Sequence, residues 1–406
     1  MADSSFGLAA SLLLDDQHPW PGLTAFSEAD RAFFHGRDEE TEELLNLVLR
    51  ERLTLLFGKS GIGKTSLLLA GLIPRMRQRD LLPVYLRLDC SDGAPAFRDQ
   101  IISAIAREAD ASQVERPPVR AGESLWEYFH RQDYEFWSPL NRLLTPVLVF
   151  DQFEEVFTLG RQRKTTGTLL EEFATLAGGY LPETIRARLE QEPGAADRFS
   201  FKRYRYRILL SIREDFLPEL EDIRSRIPFG AEQRFRLLPL AAAQALEAVL
   251  SSGRQLIEPE VAERLIRFLA SGNPSEALSQ LEVEPALISV LLRELNHRRV
   301  SRGLAQIADD LPAEGVLAGY YHHVLADLGP EVRAFVEDHL VTTSGYRLSF
   351  PLEDALALPG VTRQTIDQLV ERRLLRIDDR FDHKRVELVH DVLTATISAS
   401  RERKQA

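Results

Sequence analysis

One segment of this chain has the residue types and spacing to grip a polyphosphate: Gly58-Lys59-Ser60-Gly61-Ile62-Gly63-Lys64-Thr65. It matches the pattern G-x-x-x-x-G-K-[ST] in full. Glycines let the main chain curl so that successive N–H groups face one anion, and a helix N-terminus adds its positive end. Lys64 is expected to reach the β- and γ-phosphates as a point charge, and the Thr65 hydroxyl to bind Mg²⁺. Gly58, Ser60, Gly61, Ile62, Gly63, Lys64, Thr65 and Ser66 are therefore the candidate nucleotide-binding residues of this segment. A chance glycine-rich turn would lack the right flanks. Here an apolar run, Leu53 to Phe57, precedes the loop, and a helix is expected from about Gly63 to Leu72, stopped by Pro74.

Such a loop needs an acidic partner at the end of a neighbouring strand, and Val147-Leu148-Val149-Phe150-Asp151 supplies one. Asp151 is expected to hold Mg²⁺ through water, so the metal set is Thr65 and Asp151. Glu154 and Glu155 follow in Gln152-Phe153-Glu154-Glu155, and one of them could orient an attacking water. Spacing does not decide between them; Glu155 is slightly preferred, against a solvated helix start for both. A further strand ends in Ser211-Ile212-Arg213-Glu214-Asp215-Phe216. Parallel sheets present their strand C-termini to one crevice, so Arg213 would point toward a γ-phosphate. The alternative is an ion pair between Arg213 and Asp215 or a nearby acid. Asn-Lys-x-Asp is missing from the sequence, which argues against guanine specificity. Phe33, Phe34 and Arg37 could pack and hydrogen-bond an adenine, although such residues are more often core and surface.

The elements that must position these groups read as four strands, 53–57, 84–88, 146–150 and 206–212, with a helix at 39–51 ahead of them and one at 95–109 among them. Alternation of this kind predicts a parallel sheet covered on both faces. Residues 158–200 read as a polar and helical excursion. From 241 to 300 the pattern is helical throughout, broken at Gly272-Asn273-Pro274. Near the end, a helix from Arg363 to Arg373 precedes a ribbon of Leu374–Asp378 and Val386–Val389, the outline of a winged helix. Ser27 with Asp30 has the form of a capping box.

Composition sets the frame. At roughly 150 residues per domain, a chain of 406 residues implies two to three domains. An apolar share of 44% and a charged share of 28% are those of ordinary globular chains. The net charge of −12 argues against bulk binding of nucleic acid or anionic lipid. Cys90 is the single cysteine, which excludes an internal disulfide and a cysteine-based zinc site and fits a reducing compartment. With no apolar stretch long enough to span a bilayer and no basic region ahead of Leu12-Leu13-Leu14, a cytoplasmic location is expected.

Taken together, the motifs resemble those of the STAND signal-transduction NTPases, in particular the bacterial novel-STAND group, relatives of AAA+, NACHT and NB-ARC ATPases. That group reads P-Y-P-G-L-x-x-F, matched by Pro19-Trp20-Pro21-Gly22-Leu23-Thr24-Ala25-Phe26, with Trp in place of Tyr. Its F-F-G-R-[DE] is matched by Phe33-Phe34-His35-Gly36-Arg37-Asp38, with His35 inserted. Ser66 to Arg75 follows S-L-x-x-A-G-L-[IL]-P-R, Asp151 to Glu155 reads D-Q-F-E-E, and Arg213 to Phe216 reads R-x-D-F. The resemblance implies an α/β P-loop NTPase core with a parallel sheet, then an all-α lid and a winged-helix domain. The boundaries follow as a lead at 1–18, the core at 19–235, the lid at 236–310, the winged helix at 311–400 and a tail at 401–406. It also implies ATP or ADP with Mg²⁺, and adds Phe34, Gly36, Arg37, Pro285 of the lid and His390 of Val389-His390-Asp391 to the nucleotide-binding set. In relatives with M-H-D at that place, the histidine contacts the ADP β-phosphate and locks a closed form.

The function expected on this basis is a slowly hydrolysing ATPase switch, ADP-bound when closed and able to self-associate with ATP, in signalling or defence. An AAA+-like ATPase acting on DNA and a non-hydrolysing scaffold are the rival readings. Phe201 to Arg207 is basic with interleaved aromatics, a feature of nucleic-acid patches and also of an exposed strand flank. Arg363 to Leu388 holds seven basic and six acidic residues, a weak phosphate footprint. Effector and sensor modules are expected in trans or outside this chain.

Overall fold

A computed structural model describes residues 14–22, 24–59, 61–89, 94–158, 166–178, 180–201, 204–222, 227, 230–270, 276–307, 319–322, 324–342, 348–372, 374–380, 383–388, 393–394, 397–398 and 400–401. The described residues divide into two compact units, one of 37–59 and 64–238, the other drawn from 1–36, 60–63 and 239–406.

The first unit is built on a six-stranded sheet. Its strands are β1 (Leu53–Gly58), β2 (Leu81–Leu86), β3 (Phe136–Trp137), β4 (Leu143–Phe150), β5 (Arg207–Arg213) and β6 (Arg234–Arg236). The parallel order is β2-β4-β5-β1-β6, with β3 antiparallel on β4. Near-continuous apolar strands suit a sheet covered on both faces, and Leu55, Leu148, Val149, Leu209 and Leu210 are all fully buried. The helix Asp38–Arg50 buries Thr41, Leu44, Leu45 and Val48, a single stripe, and starts with three acids at its positive end. Phe97–Ala111 buries Phe97, Ile101, Ala104, Ile105 and Ala109 in the same way.

Four features differ from the sequence reading. β2 begins at Leu81, ahead of Pro83, because β2 lies at the sheet edge, where a residue without an N–H is tolerated. β6 was too short to leave a pattern. The strand that leads to Asp151, β4, is not next to β1; β5 lies between them. Pro74 does not stop the helix: Lys64–Ser66 runs into a π-helical turn, Leu67–Leu72, and on into Ile73–Arg77. The Ile73 N–H reaches back five residues to the Leu68 carbonyl, which relieves the ring clash that a proline meets in a regular helix. The 158–200 excursion holds helices Thr166–Gly178 and Glu183–Gln191.

In the second unit, helices Ala242–Gly253, Pro259–Leu269 and Pro285–Ser301 share a core with Trp20, Leu281 and Val283. This stretch is not wholly helical, because β7 (Leu240–Ala241) pairs with β8 (Glu282–Val283). Residues 271–275, with the expected Gly-Asn-Pro break, lie outside the described residues. Trp20 lies against Gly253 and donates its indole N–H to Ser252 Oγ at 3.2 Å. Arg293 donates to the Pro21 carbonyl at 2.8 Å, and Asn296 to that of Gln17 at 2.7 Å. Ser27 and Asp30 do close a capping box, on a 3-10 helix, Glu28–Phe33.

Further on, helices Pro330–His339, Leu352–Leu356 and Arg363–Glu371 pack with a three-stranded antiparallel sheet around Val336, Ile366, Leu369, Val386 and Leu388. The sheet is β10 (Leu375–Arg380), β11 (His383–Leu388) and β9 (Phe350–Pro351), in the order β10-β11-β9. This is the winged helix; its first ribbon strand starts one residue later and its second three residues earlier than the sequence indicated, and its third strand is too short to read. Among the described residues no helix is long and apolar enough to cross a membrane.

Candidate nucleotide site

β1 delivers Gly58 to the C-terminal edge of the sheet, in register with Arg213 at the end of β5. Beyond it, Gly61 and Gly63 have φ of +79° and +97°, the left-handed region that favours glycine. A Cβ at Gly63 would meet nothing within 4 Å, so dihedral freedom rather than space explains that glycine. Lys64 then opens the helix. Its ammonium donates to the carbonyls of Gly58 at 2.9 Å and Lys59 at 3.0 Å, folded onto its own loop. Burial pushes Lys64 down to about 8, opposed by the charges of Glu154 and Asp151.

Asp151 lies one residue beyond β4 and is 2% exposed. Its Oδ2 accepts from Thr65 Oγ1 at 2.7 Å and from the Tyr85 phenol at 2.9 Å. Its Oδ1 accepts from the Gln152 N–H at 3.0 Å. Gln152 itself has φ +55°, so the chain turns sharply straight after the strand. The two glutamates that follow have different partners. Glu154 is buried, near the charges of Lys64, Asp151 and Arg213, and its Oε2 accepts from the Arg213 N–H at 3.3 Å. Burial raises its pKa from the ordinary glutamate value. Glu155 starts the helix Glu155–Thr158 and pairs with Arg87. The Arg213 guanidinium binds Asp215 through two bonds, Nε to Oδ1 at 3.0 Å and Nη2 to Oδ2 at 2.5 Å, and lies 5.6 Å from the Phe216 ring centroid. The ion pair weighed in the sequence is therefore present.

The remaining candidates are placed as follows. Arg37 is buried, and donates to Glu40 and to the Leu238 carbonyl, each at 2.7 Å. Phe34 meets Phe26 edge to face at 5.6 Å. Gly36 has φ +78°, and a Cβ there would come within 2.8 Å of the Gln244 carbonyl. Ile62 is buried, Ser66 is half-buried, and Pro285 takes the first turn of its helix. Ser60 and His390 lie outside the described residues. Sequence reasoning missed Tyr85 and Arg87. The signal for Tyr85 was a hydroxyl inside the apolar run Leu81-Leu82-Pro83-Val84-Tyr85-Leu86, where a phenol needs a partner.

A nucleotide with magnesium fits these residues. Gly61 and Gly63 supply left-handed backbone of the kind that aims N–H groups at an anion, and a half-buried lysine follows. Thr65 and Asp151 present oxygen donors, the type Mg²⁺ takes. Among the described residues no group of three or more His, Cys, Asp or Glu could hold a metal ion.

A parallel α/β sheet with a glycine-rich lysine loop after β1 and an aspartate after β4 defines a P-loop NTPase. The profile of the family described as Novel STAND NTPase 1 matches residues 19–398, and the chain belongs to that family. No curated protein matches by sequence. Among solved structures it is similar to Cdc6p of Pyrobaculum aerophilum, at 16% identity over 91% of this chain and 95% of that one, TM-score 0.43. It is also similar to the ORC2 protein of Aeropyrum pernix in ADPNP-ADP complexes, at 15% identity over 90% and 95%, TM-score 0.47. A Walker-type ATPase of Pyrococcus abyssi shares 14% identity over 92% and 97%, TM-score 0.48.

Proposed function

We propose that this chain is an ATP-binding, slowly hydrolysing switch whose ADP-bound form is closed and whose ATP-bound form assembles. The observation that carries this reading is the cluster at one edge of the sheet: Lys64, Thr65, Asp151 and Glu154 beside Arg213. In it, the loop from Gly58 to Thr65 holds the polyphosphate, and Thr65 with Asp151 holds Mg²⁺, which when bound neutralises phosphate charge. Lys64 exchanges its own loop carbonyls for phosphate oxygens. Glu154, with its raised pKa, orients water and takes its proton, a role that burial beside Lys64 supports more than the Arg87-paired Glu155. Arg213 leaves Asp215 to meet the third phosphate. This exchange of partners is the step that distinguishes ATP from ADP.

Moving a closed:open ratio from 99:1 to 1:99 needs about 5.5 kcal/mol of differential affinity. Charge-assisted bonds to one extra phosphate, with newly formed interfaces, supply energy on that scale. The signalling role, with bacterial defence as one setting, is carried over from the family resemblance, as is the lock assigned to His390. A DNA-acting reading has less support. Arg205 pairs with Glu135, Arg363 with Asp367, Arg372 with Asp327 and Arg376 with Glu387, so these cations are partly neutralised within the chain. Mass determination of the wild-type protein tests the proposal. With ADP it should remain a monomer, and with a slowly hydrolysed ATP analogue it should form a larger species. Equal masses in both would overturn the switch.

A further inference from the structure

The hydrogen bonds on Asp151 account for most of what its carboxylate can accept. A carboxylate offers about four acceptor positions. Thr65 and Tyr85 take two on Oδ2, and the Gln152 N–H takes one on Oδ1. About one position is left, on Oδ1. Thr65 has a single hydroxyl proton, and it is committed to Asp151, so its oxygen has only lone pairs to offer a cation. Without a second donor on Oδ2, the carboxylate could rotate about its stem and its two oxygens could exchange roles.

Tyr85 is that second donor, and its placement is set by the sheet. It stands opposite Val149 in the β2–β4 register, two residues before Asp151 on the partner strand. Its neighbours Val84 and Leu86 are buried at 0% and 4%, and the alternation of a strand puts Tyr85 on the other face. The phenol is anchored at its ring end by a strand and reaches Oδ2 with its only proton.

We infer that Tyr85 is a positioning residue for magnesium, holding the Asp151 carboxylate so that the Thr65 oxygen and the open Oδ1 position serve one cation. The inference rests on the nucleotide reading above and deepens it. It predicts a defect confined to metal-dependent binding. Calorimetric titration of ADP into wild type and Tyr85→Phe, each in Mg²⁺ and in EDTA, separates the terms. Loss of one bond to a charged group should weaken ADP binding roughly tenfold or more in Mg²⁺ and leave the EDTA value unchanged. Equal losses in both, including loss through misfolding, would make Tyr85 merely structural and overturn the inference; so would equal affinities in Mg²⁺. Wild-type protein whose ADP affinity ignores Mg²⁺ would overturn the site reading itself, before any variant is compared.

Discussion

The Glu154 carboxylate accepts a hydrogen bond from the backbone N–H of Arg213 at 3.3 Å, which ties the residue after the β4 turn to the end of β5. Adjacent strands thus fix a buried acid beside the charges of Lys64 and Asp151. Its neighbour Glu155 is drawn off by Arg87.

Glu154→Gln should therefore lower ATP turnover by about 10²–10³-fold while ATP binding persists, the scale of a lost general base. Glu155→Gln should cost less than about tenfold, because its partner Arg87 is exposed and such an ion pair contributes little. Phosphate release under single-turnover conditions compares the two. A larger loss at Glu155 would reverse the assignment.

Nucleotide binding should take up a proton in mild alkali. Lys64 is held down at about 8 by burial, against an ordinary 10.5. Between those values the unfolded chain holds this proton and the folded chain does not. This group therefore makes the free protein more stable as pH rises through that window, and its burial penalty is fully present below it. A bound phosphate favours the charged ammonium. Uptake should approach one proton at about pH 9 and fall toward zero near pH 7. Calorimetry of ADP binding in buffers of differing ionisation enthalpy measures it.

Gly253→Ala should destabilise the second unit. A Cβ at Gly253 would fall 2.3 Å from Trp20 Cζ2, and Trp20 is buried among the same helices. Forcing the indole aside should cost about 1–3 kcal/mol, the range for overpacked cores. Thermal denaturation reads it, and Trp20→Phe in the same background should recover part of the loss, since a smaller ring leaves room for the methyl.

How much of this could be read from residues alone varied with the range of the interaction. Lys64, Thr65 and Asp151 were legible because local spacing and one apolar strand identify each. Arg213 was legible as a position, and its bond to Asp215 was one of two outcomes foreseen. The choice between Glu154 and Glu155 was not legible. It depends on Arg87, far upstream, and on the Arg213 N–H, far downstream. Tyr85 needed the β2–β4 register. The insertion of β5 between β1 and β4 is a crossover that no local pattern encodes. Pro74 misled because the π turn that accommodates it leaves the apolar sequence unchanged.

The central claim is that the Lys64 ammonium and its loop hold a nucleotide polyphosphate. Calorimetric titration of ADP with Mg²⁺ into wild type and Lys64→Ala tests it most directly. Wild type should bind, and the variant should lose at least about 100-fold in affinity, since it removes the positive charge that the proposal places on the phosphates. No heat of binding with wild type, or equal affinity in the variant, would contradict the account.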